Sequence, residues 1–291
     1  MSNGIALGNA SYGFREYTLP EFFAASREVG LTSVEIDCGW LEEESSNKIA
    51  VDATPQELDA VQRMAEEAGV KVTALGGGAV VGLNGEVAED RCDELMQVID
   101  RADALDARVI RVFTEHDFTH SKHYVLPAER VTDALYETLS AAFNKLGRYA
   151  ESKNVALAIE NHGGTSATGA GAKRLLDMVP YKSIGVTYDP ANYAYSGSDP
   201  YEALMAVEDR VVYTHWKDVA RPASGVEYRA FGEGEIEIDW QPILRHLLDS
   251  FDGIWAIEYE RKVDSTLETL KEGSLLSRDN LLAAIERVRA G

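Results

Sequence analysis

Four short apolar segments in the second half of the chain each end in a side chain that could bind a metal ion or move a proton. The segments read VALAIE, SIGVTYD, VVYTHWKD and IWAIEYE, and they supply Glu160, Asp189, His215 and Glu258. A single carboxylate after an apolar segment is usually a helix cap or a solvated loop residue. Four such residues at the ends of consecutive segments are harder to explain in that way, and they indicate one shared site.

Alternation along these segments predicts where the side chains point, because successive side chains of a strand face opposite sides. Glu160 shares a face with the small residues Ala156 and Ala158, and Glu258 shares one with Ala256. Small residues suit a crowded barrel interior, whereas the bulky residues between them suit packing against helices. We therefore expect both glutamates to point towards a barrel axis.

Three carboxylates and an imidazole gathered at one place are unfavourable unless they are protonated or bound to a cation. Ligand sets that are rich in oxygen and contain one imidazole suit Mn²⁺, Mg²⁺ or Co²⁺, with Zn²⁺ as an alternative. The residue types therefore favour a site for one divalent metal ion.

The remaining sequence alternates between short apolar segments typical of strands and longer amphipathic segments typical of helices. Strands are predicted at 4–9, 33–37, 71–75, 109–114, 155–161, 183–189, 211–216 and 253–259. Helices are predicted at 55–68, 91–105, 131–153, 171–179, 199–207, 239–250 and 277–290. Eight such units predict a (β/α)8 TIM barrel formed as a single domain over residues 1–291.

A doubly wound open sheet is the alternative architecture, but no glycine-rich phosphate loop follows the first predicted strand. The longest irregular segments are expected at 115–129 and 219–238, both after a strand. They would lie on the face where barrel enzymes keep their active sites. The first of them contains His120 and His123, and His116 precedes these two; we interpret all three as solvated loop residues.

The net charge of −21 excludes several classes of partner. A nucleic-acid or anionic-membrane partner would require basic residues, so neither is expected. The acidic surface fits either simple solubility or a salty cytoplasm, and the sequence does not separate the two. Cys38 and Cys92 are expected to be buried free thiols. The N-terminal sequence has no signal-peptide pattern and no apolar window of membrane-spanning length occurs, which favours a cytoplasmic protein.

The motifs ALAIENHGG, GVTYDPANY, YTHWKD and WAIEYE resemble those of the xylose isomerase-like TIM-barrel superfamily, the sugar phosphate isomerase/epimerase group. The resemblance extends over essentially the whole chain, and it is more specific for the superfamily than for a substrate. It implies that Glu160, Asp189, His215 and Glu258 bind one divalent metal ion, with Mn²⁺ expected first. It also leaves open a homo-oligomer, since dimers and tetramers are common in this superfamily.

Two further residues near these motifs are candidates for contact with a substrate. His162 lies on the same face as Glu160, one pleat further out, and could act as a base or a hydrogen-bond donor; the alternative is a loop histidine that orients Glu160. Lys217 could pair with a substrate oxyanion, or it could form a salt bridge at the barrel rim.

Three more candidates are assigned to substrate binding. Glu35, on the second predicted strand, resembles the superfamily's substrate-side glutamate, although Asp37 is equally well placed. Arg111, on the fourth predicted strand, is a cation that points inwards or lies at the rim. Asn192 could contact a substrate or orient Asp189.

The resemblance implies a metal-dependent isomerase or epimerase for a carbohydrate or keto-polyol. It would remove a proton next to a carbonyl held by the metal, and Glu160 and Glu258 would move protons on opposite faces of the substrate. The alternative is a lyase on the same scaffold, which dehydrates a keto-inositol or 3-dehydroshikimate or cleaves a 3-oxo-C-glycoside; His162 keeps this alternative open. DNA repair of the endonuclease IV type conflicts with the net charge, and a non-enzymatic binding module remains a further alternative.

Overall fold

A computed structural model describes residues 4–39, 46–82, 89–116, 131–221, 227–260 and 265–291 of the chain. Residues 117–130, which include His120 and His123 of the predicted irregular segment, lie outside the described residues, and so does the side chain of His116.

Eight parallel strands form a closed barrel. In order around it they are β1 (Ala6–Ala10), β2 (Ser33–Cys38), β4 (Lys71–Gly82), β5 (Val109–His116), β6 (Ala156–Glu160), β7 (Ile184–Tyr188), β8 (Val211–Trp216) and β11 (Ile254–Ile257). The first and last of these strands pair with each other, and β1 also pairs with β2, which closes the ring. The predicted (β/α)8 barrel is confirmed.

Three short strands lie outside the ring. The two-residue strand β3 (Lys48–Ile49) extends the sheet beside β2, while β9 (Asp218–Ala220) and β10 (Glu227–Arg229) form an antiparallel pair. The second of the two predicted irregular segments is therefore partly wrong, since residues 219–238 contain strand structure at the barrel mouth.

Helices follow the barrel strands and cover the outside of the sheet. They are α1 (Leu19–Glu28), α2 (Pro55–Ala68), α3 (Glu89–Ala104), α4 (Asp133–Lys153), α5 (Gly169–Asp177), α6 (Pro190–Tyr195), α7 (Pro200–Val207), α8 (Trp240–Ser250) and α9 (Leu267–Ala290). Thr54 begins α2 with a capping box to Glu57, and Gly69 ends the helix with φ 75°.

Some elements differ from their predicted extents. Helix α1 was not predicted, although a capping box between Thr18 and Glu21 marks its start. Strand β4 continues through three glycines to Gly82, where alternation of side chains cannot be read from the sequence. Helix α9 begins at Leu267, well before the predicted start at residue 277. The prediction was too short because the apolar residues of the first turns are less regularly spaced.

The two faces of the barrel strands carry different side chains. Inside the barrel, Ala74, Ala158 and Ala256 pack with Tyr213. On the outside, larger residues of the same strands, such as Leu157 and Trp255, join the main core beneath the helices. The predicted alternation is therefore confirmed, and the alanines leave room at the barrel mouth for the side chains at the strand ends.

None of the helices in the described ranges combines the length and the apolar character that a membrane crossing would need.

The outer face of β8 and β11 depends on a stacked pair of tryptophans. The rings of Trp216 and Trp255 lie 4.8 Å apart and almost parallel, at 6°, and both are fully buried. We predict that Trp255→Ala lowers the free energy of unfolding by about 3–5 kcal/mol, since it leaves a large cavity behind two strands. Chemical denaturation measures this loss.

The matched control is Tyr201→Ala, which removes an aromatic ring that is 37% exposed on α7. That variant should lose about 1 kcal/mol or less. Equal losses in the two variants would contradict the role assigned to the tryptophan stack.

Candidate metal centre

The ends of four adjacent strands bring Glu160, Asp189, His215 and Glu258 together. One ligand atom from each residue lies within 4.8 Å of the others, and all four side chains are buried. These residues are called the four-residue cluster below. Because the strands are parallel and neighbouring, their carboxyl ends meet on one face of the barrel, as the sequence predicted.

The imidazole of His215 is held by a carboxylate on the far side of the barrel. Its Nε2 lies 2.9 Å from Oε2 of Glu35, and an ionised carboxylate can only accept, so Nε2–H donates. The other ring nitrogen, Nδ1, lies 3.1 Å from Glu258 Oε2 and 3.4 Å from Glu160 Oε1. It makes no hydrogen bond to either oxygen within the described part of the chain.

Asp189 presents one oxygen to the helix that follows it and the other to the cluster. Its Oδ1 accepts a hydrogen bond of 3.0 Å from the backbone N–H of Asn192, and so it caps α6. Its Oδ2 is buried and, among the described residues, makes no hydrogen bond. The nearest cation to Oδ2 is Lys217, whose Nζ lies 3.1 Å away.

The orphaned atoms His215 Nδ1 and Asp189 Oδ2 fit a bound cation. Both are buried, both can donate a lone pair, and both lie among further carboxylate oxygens. Lys217 offsets part of the charge on Asp189 Oδ2, but neither atom makes a hydrogen bond within the described residues, and a cation between them would offset the remaining cost of their burial. Three carboxylates and one imidazole form a donor set that suits a divalent metal ion.

Arg111 lies at the barrel mouth and contacts carboxylates on two strands. Its Nε donates to Glu35 Oε1 at 3.0 Å and its Nη2 to Asp37 Oδ1 at 3.3 Å, while Glu160 Oε2 lies 3.6 Å from Nε. Glu35 and Asp37 therefore both contact the arginine, as their equal placement on β2 suggested. The positive charge that we assigned to substrate binding is shared by three carboxylates of the protein.

Lys217 is also committed to protein carboxylates, and it is only 1% exposed. Its Nζ contacts Asp189, Glu258 and Glu260, at 2.9 Å from Glu260 Oε1, and lies over the ring of Tyr228. Of the two interpretations that the sequence left open, the structure favours the salt bridge, because the ammonium group offsets repulsion among the carboxylates.

The pKa values follow from burial and from these pairs. Burial raises the pKa of Asp189 to about 6, and Lys217 counteracts this only in part. Burial and the Glu258 carboxylate raise the pKa of Glu160, but His215 and Arg111 outweigh them and bring it to about 2. Burial lowers the pKa of His215, whereas Glu258, Glu35 and Glu160 raise it and prevail. A metal ion must displace the proton that this histidine attracts.

The loop after β6 places His162 against Phe113, whose ring also contacts Arg111. The imidazole of His162 is half-buried and packs on Phe113 with ring centroids 5.1 Å apart, and the same phenyl ring lies 4.8 Å from Cζ of Arg111. The loop is tied down by Glu115, whose Oε1 accepts a hydrogen bond of 3.0 Å from the backbone N–H of Thr165. Glycine is required at 164, where φ is 56° and a Cβ would collide with the Glu115 carboxylate.

Two neighbours of the cluster, Asn161 and Glu260, were not predicted from the sequence. A third, Asn192, was predicted, but its side-chain contact was not. Asn161 holds the backbone of Asp189, and Glu260 pairs with Lys217, yet we assigned neither a role. Asn192, expected to orient Asp189 or bind a substrate, does contact Asp189, because its backbone N–H donates to Oδ1, but its side chain donates to Glu160 Oε1 at 3.2 Å. The signal for Asn161 and Glu260 was their position inside the motifs ENH and EYE.

Binding of a divalent metal ion should stabilise the folded protein by an amount that rises with the logarithm of the ratio of metal concentration to Kd. With Mn²⁺ about a hundredfold above its Kd, we predict that the wild type gains about 2.7 kcal/mol and that a chelator removes this gain. Asp189→Asn should lose most of the gain, because it removes a charged ligand. The melting temperature with and without Mn²⁺ measures it.

Asp199→Asn is the matched control for that variant. Asp199 is also followed by a proline and also caps a helix, through a hydrogen bond of 2.8 Å from the backbone N–H of Glu202, but it lies outside the cluster. It should keep the full response to Mn²⁺. Equal responses of wild type and Asp189→Asn would remove this aspartate from the metal site.

Among solved structures, the chain is similar to a xylose isomerase domain protein from Planctomyces limnophilus, at 17% identity and a TM-score of 0.72, over 99% of both chains. It is also similar to a D-tagatose 3-epimerase-like protein, at 16% identity and a TM-score of 0.73, over 98% of this chain and 99% of that one. At these identities, the similarity shows a shared fold.

Among curated proteins, the chain is 29% identical to an inosose dehydratase of Clostridium perfringens over 153 residues, which cover 47% of this chain and 50% of the relative. The chain thus spans about half the length of the curated relatives it matches. A family model described as a xylose isomerase-like TIM barrel matches residues 23–280, which is most of the chain. With the closed barrel and the four strand-end residues, this match shows that the chain belongs to the xylose isomerase-like TIM-barrel family.

Proposed function

We propose that the protein is a metal-dependent dehydratase that acts on a neutral, polyhydroxylated ketone. The observation that carries this proposal is the four-residue cluster, in which two buried atoms, His215 Nδ1 and Asp189 Oδ2, make no hydrogen bond among the described residues. The matched curated relatives are named inosose dehydratases, which favours dehydration over the isomerisation that the motifs alone suggested first. We propose Mn²⁺ as the metal because carboxylate ligands dominate the site.

The charge of the barrel mouth supports a substrate without phosphate or carboxylate groups. Among the described residues, the buried basic side chains besides His215, which a bound metal ion would keep neutral, are Arg111 and Lys217. They face six buried carboxylates: Glu35, Asp37, Glu160, Asp189, Glu258 and Glu260. A divalent cation offsets only half of the excess negative charge. An anionic substrate would therefore be repelled, whereas hydroxyl groups can donate to these carboxylates.

A divalent cation in the cluster would polarise a substrate carbonyl and so acidify the neighbouring C–H bond. The protein must then supply a base for that proton, and Glu160 and Glu258 are the candidates. Asn192 and Arg111 hold Glu160, whereas Lys217 holds Glu258, so the two carboxylates have different partners. Such an asymmetric pair suits a reaction in which one group removes the proton and a different group completes the step.

Dehydration also needs an acid for the departing hydroxyl group, so that the C–O bond breaks and water leaves. We assign this role to His162, which is half-buried beside Phe113 and lies two residues beyond Glu160. A histidine titrates near neutral pH and can deliver the proton that a leaving hydroxyl requires.

Epimerisation is the second candidate, and the similarity to the D-tagatose 3-epimerase-like structure favours it. It would use the same proton removal, followed by return of a proton to the opposite face from the other glutamate. The two reactions therefore differ in the group that acts second and not in the metal site.

The test is an incubation of the Mn²⁺-loaded protein in deuterium oxide with a keto-inositol, a ketohexose, 3-dehydroshikimate and a ketose phosphate. We expect loss of one water from the keto-inositol and no reaction of the two anions. Glu160→Gln and Glu258→Gln should abolish deuterium exchange next to the carbonyl, and bound metal is measured in each. Solvent deuterium in a ketohexose epimer, without dehydration of any substrate, would replace the proposal with the epimerase.

His162→Ala provides a separate prediction. Dehydration should fall by about 10²–10⁴-fold, the usual contribution of a general acid, while bound Mn²⁺ and deuterium exchange are retained. The matched control is His246→Ala, since His246 lies on α8 and pairs with Glu208 away from the barrel mouth. An unchanged rate in His162→Ala would exclude this histidine as the acid.

A further inference from the structure

We propose that Asn161 and Asn192 form a reciprocal brace that fixes the distance between Glu160 and Asp189 and thereby sets the metal affinity of the four-residue cluster. Asn161 follows Glu160 in the chain and its side chain holds Asp189, whereas Asn192 lies three residues after Asp189 and its side chain holds Glu160. The proposal rests on the proposed metal site and assigns both residues a positioning role.

The first arm runs from Asn161 to the backbone of Asp189. The side-chain amide of Asn161 donates to Asp189 O at 2.8 Å, and its Oδ1 accepts from Asp189 N–H at 2.9 Å. The side chain is fully buried, and both of its polar atoms are satisfied by one residue of the neighbouring strand. Such a paired contact fixes the backbone that carries the aspartate.

This arm replaces backbone pairing at the point where backbone pairing stops. Strands β6 and β7 pair as far as Glu160 and Thr187. Beyond them, the β6 chain turns back on itself, with His162 N–H donating to Glu160 O at 2.9 Å, and Pro190 has no N–H to offer. Without the Asn161 amide, the N–H of Asp189 would lose this acceptor, and its carbonyl would keep the N–H of Tyr193 at 3.3 Å.

The second arm runs from Asn192 to the side chain of Glu160. Asn192 Nδ2 donates to Glu160 Oε1 at 3.2 Å, while the backbone N–H of the same residue donates to Asp189 Oδ1 at 3.0 Å. Asn192 therefore orients one carboxylate oxygen of Glu160 and one of Asp189. The remaining oxygen of Asp189, Oδ2, is left facing the cluster.

The two arms act on different ligands, so they can be tested separately. Asn161→Ala removes the contacts to the Asp189 backbone and leaves those of Asn192 in place. Asn192→Ala removes the contact to Glu160. It keeps the hydrogen bond from the backbone N–H of residue 192 to Asp189 Oδ1, because that bond does not use the side chain. Asn9→Ala is the matched control. Asn9 is also fully buried and donates to Ser26 Oγ at 2.9 Å, beneath α1 rather than at the cluster.

The experiment titrates Co²⁺ into wild type and the three variants, and it records the Kd, the visible absorption spectrum and the melting temperature without metal. We expect the Kd to rise about 10–100-fold in Asn161→Ala and Asn192→Ala, as is typical when a residue that orients a metal ligand is lost. The shape of the Co²⁺ spectrum should change as well. Asn9→Ala should lose stability while its Kd and spectrum stay those of wild type.

Two results would overturn the brace in distinguishable ways. Wild-type protein that binds neither Co²⁺ nor Mn²⁺ would remove the metal site and the brace with it. Wild type that binds Co²⁺, with an unchanged Kd and spectrum in both asparagine variants, would remove the brace alone and leave the proposed function standing. If Asn161→Ala does not fold, Asn192→Ala decides the outcome by itself.

Discussion

The structure depends on one electrostatic constraint, the burial of six carboxylates around the mouth of the barrel. Like charges at such short distances in a poorly solvated site are unfavourable, and each needs a cation or a donor. Arg111 and Lys217 meet part of this need from opposite sides, because one contacts the carboxylates of β2 and the other those that follow β11. The two basic residues do not neutralise all six carboxylates, and Asp189 Oδ2 and His215 Nδ1, which make no hydrogen bond among the described residues, lie where a divalent cation fits.

The barrel makes this concentration of charge tolerable through its two faces. Ala74, Ala158 and Ala256 pack beside Tyr213 in the interior below the cluster, and these small side chains leave room for the charged groups. The bulky residues of the same strands pack outwards, and the stacked Trp216 and Trp255 lie behind the strands that carry His215 and Glu258. Burial of apolar surface on the outer face thus stabilises the strands whose ends carry the strongly polar contacts.

The alternation of strand and helix segments was enough to predict the barrel. The residue types at the strand ends were enough to predict the four-residue cluster, because parallel strands bring their ends to one face whatever the side chains do in detail. Contacts between those side chains could not be predicted in the same way. Whether Lys217 turns towards a substrate or towards Asp189, and whether Asn192 holds Glu160 or Asp189, depends on rotamers and on the register between strands. Glycine-rich β4 was predicted too short because glycines carry no alternation.

The cluster itself does not decide between dehydration and epimerisation, since both begin with removal of a proton beside a carbonyl. The choice depends on the group that acts next and on where it stands. In epimerisation, a second carboxylate on the opposite face of the substrate would return a proton to carbon. In dehydration, an imidazole would donate a proton to the oxygen of the departing hydroxyl group. Glu258 pairs with Lys217, whereas His162 is half-exposed and packs on Phe113. This difference between the two groups supports our proposal of dehydration, because the four-residue cluster alone does not determine the reaction.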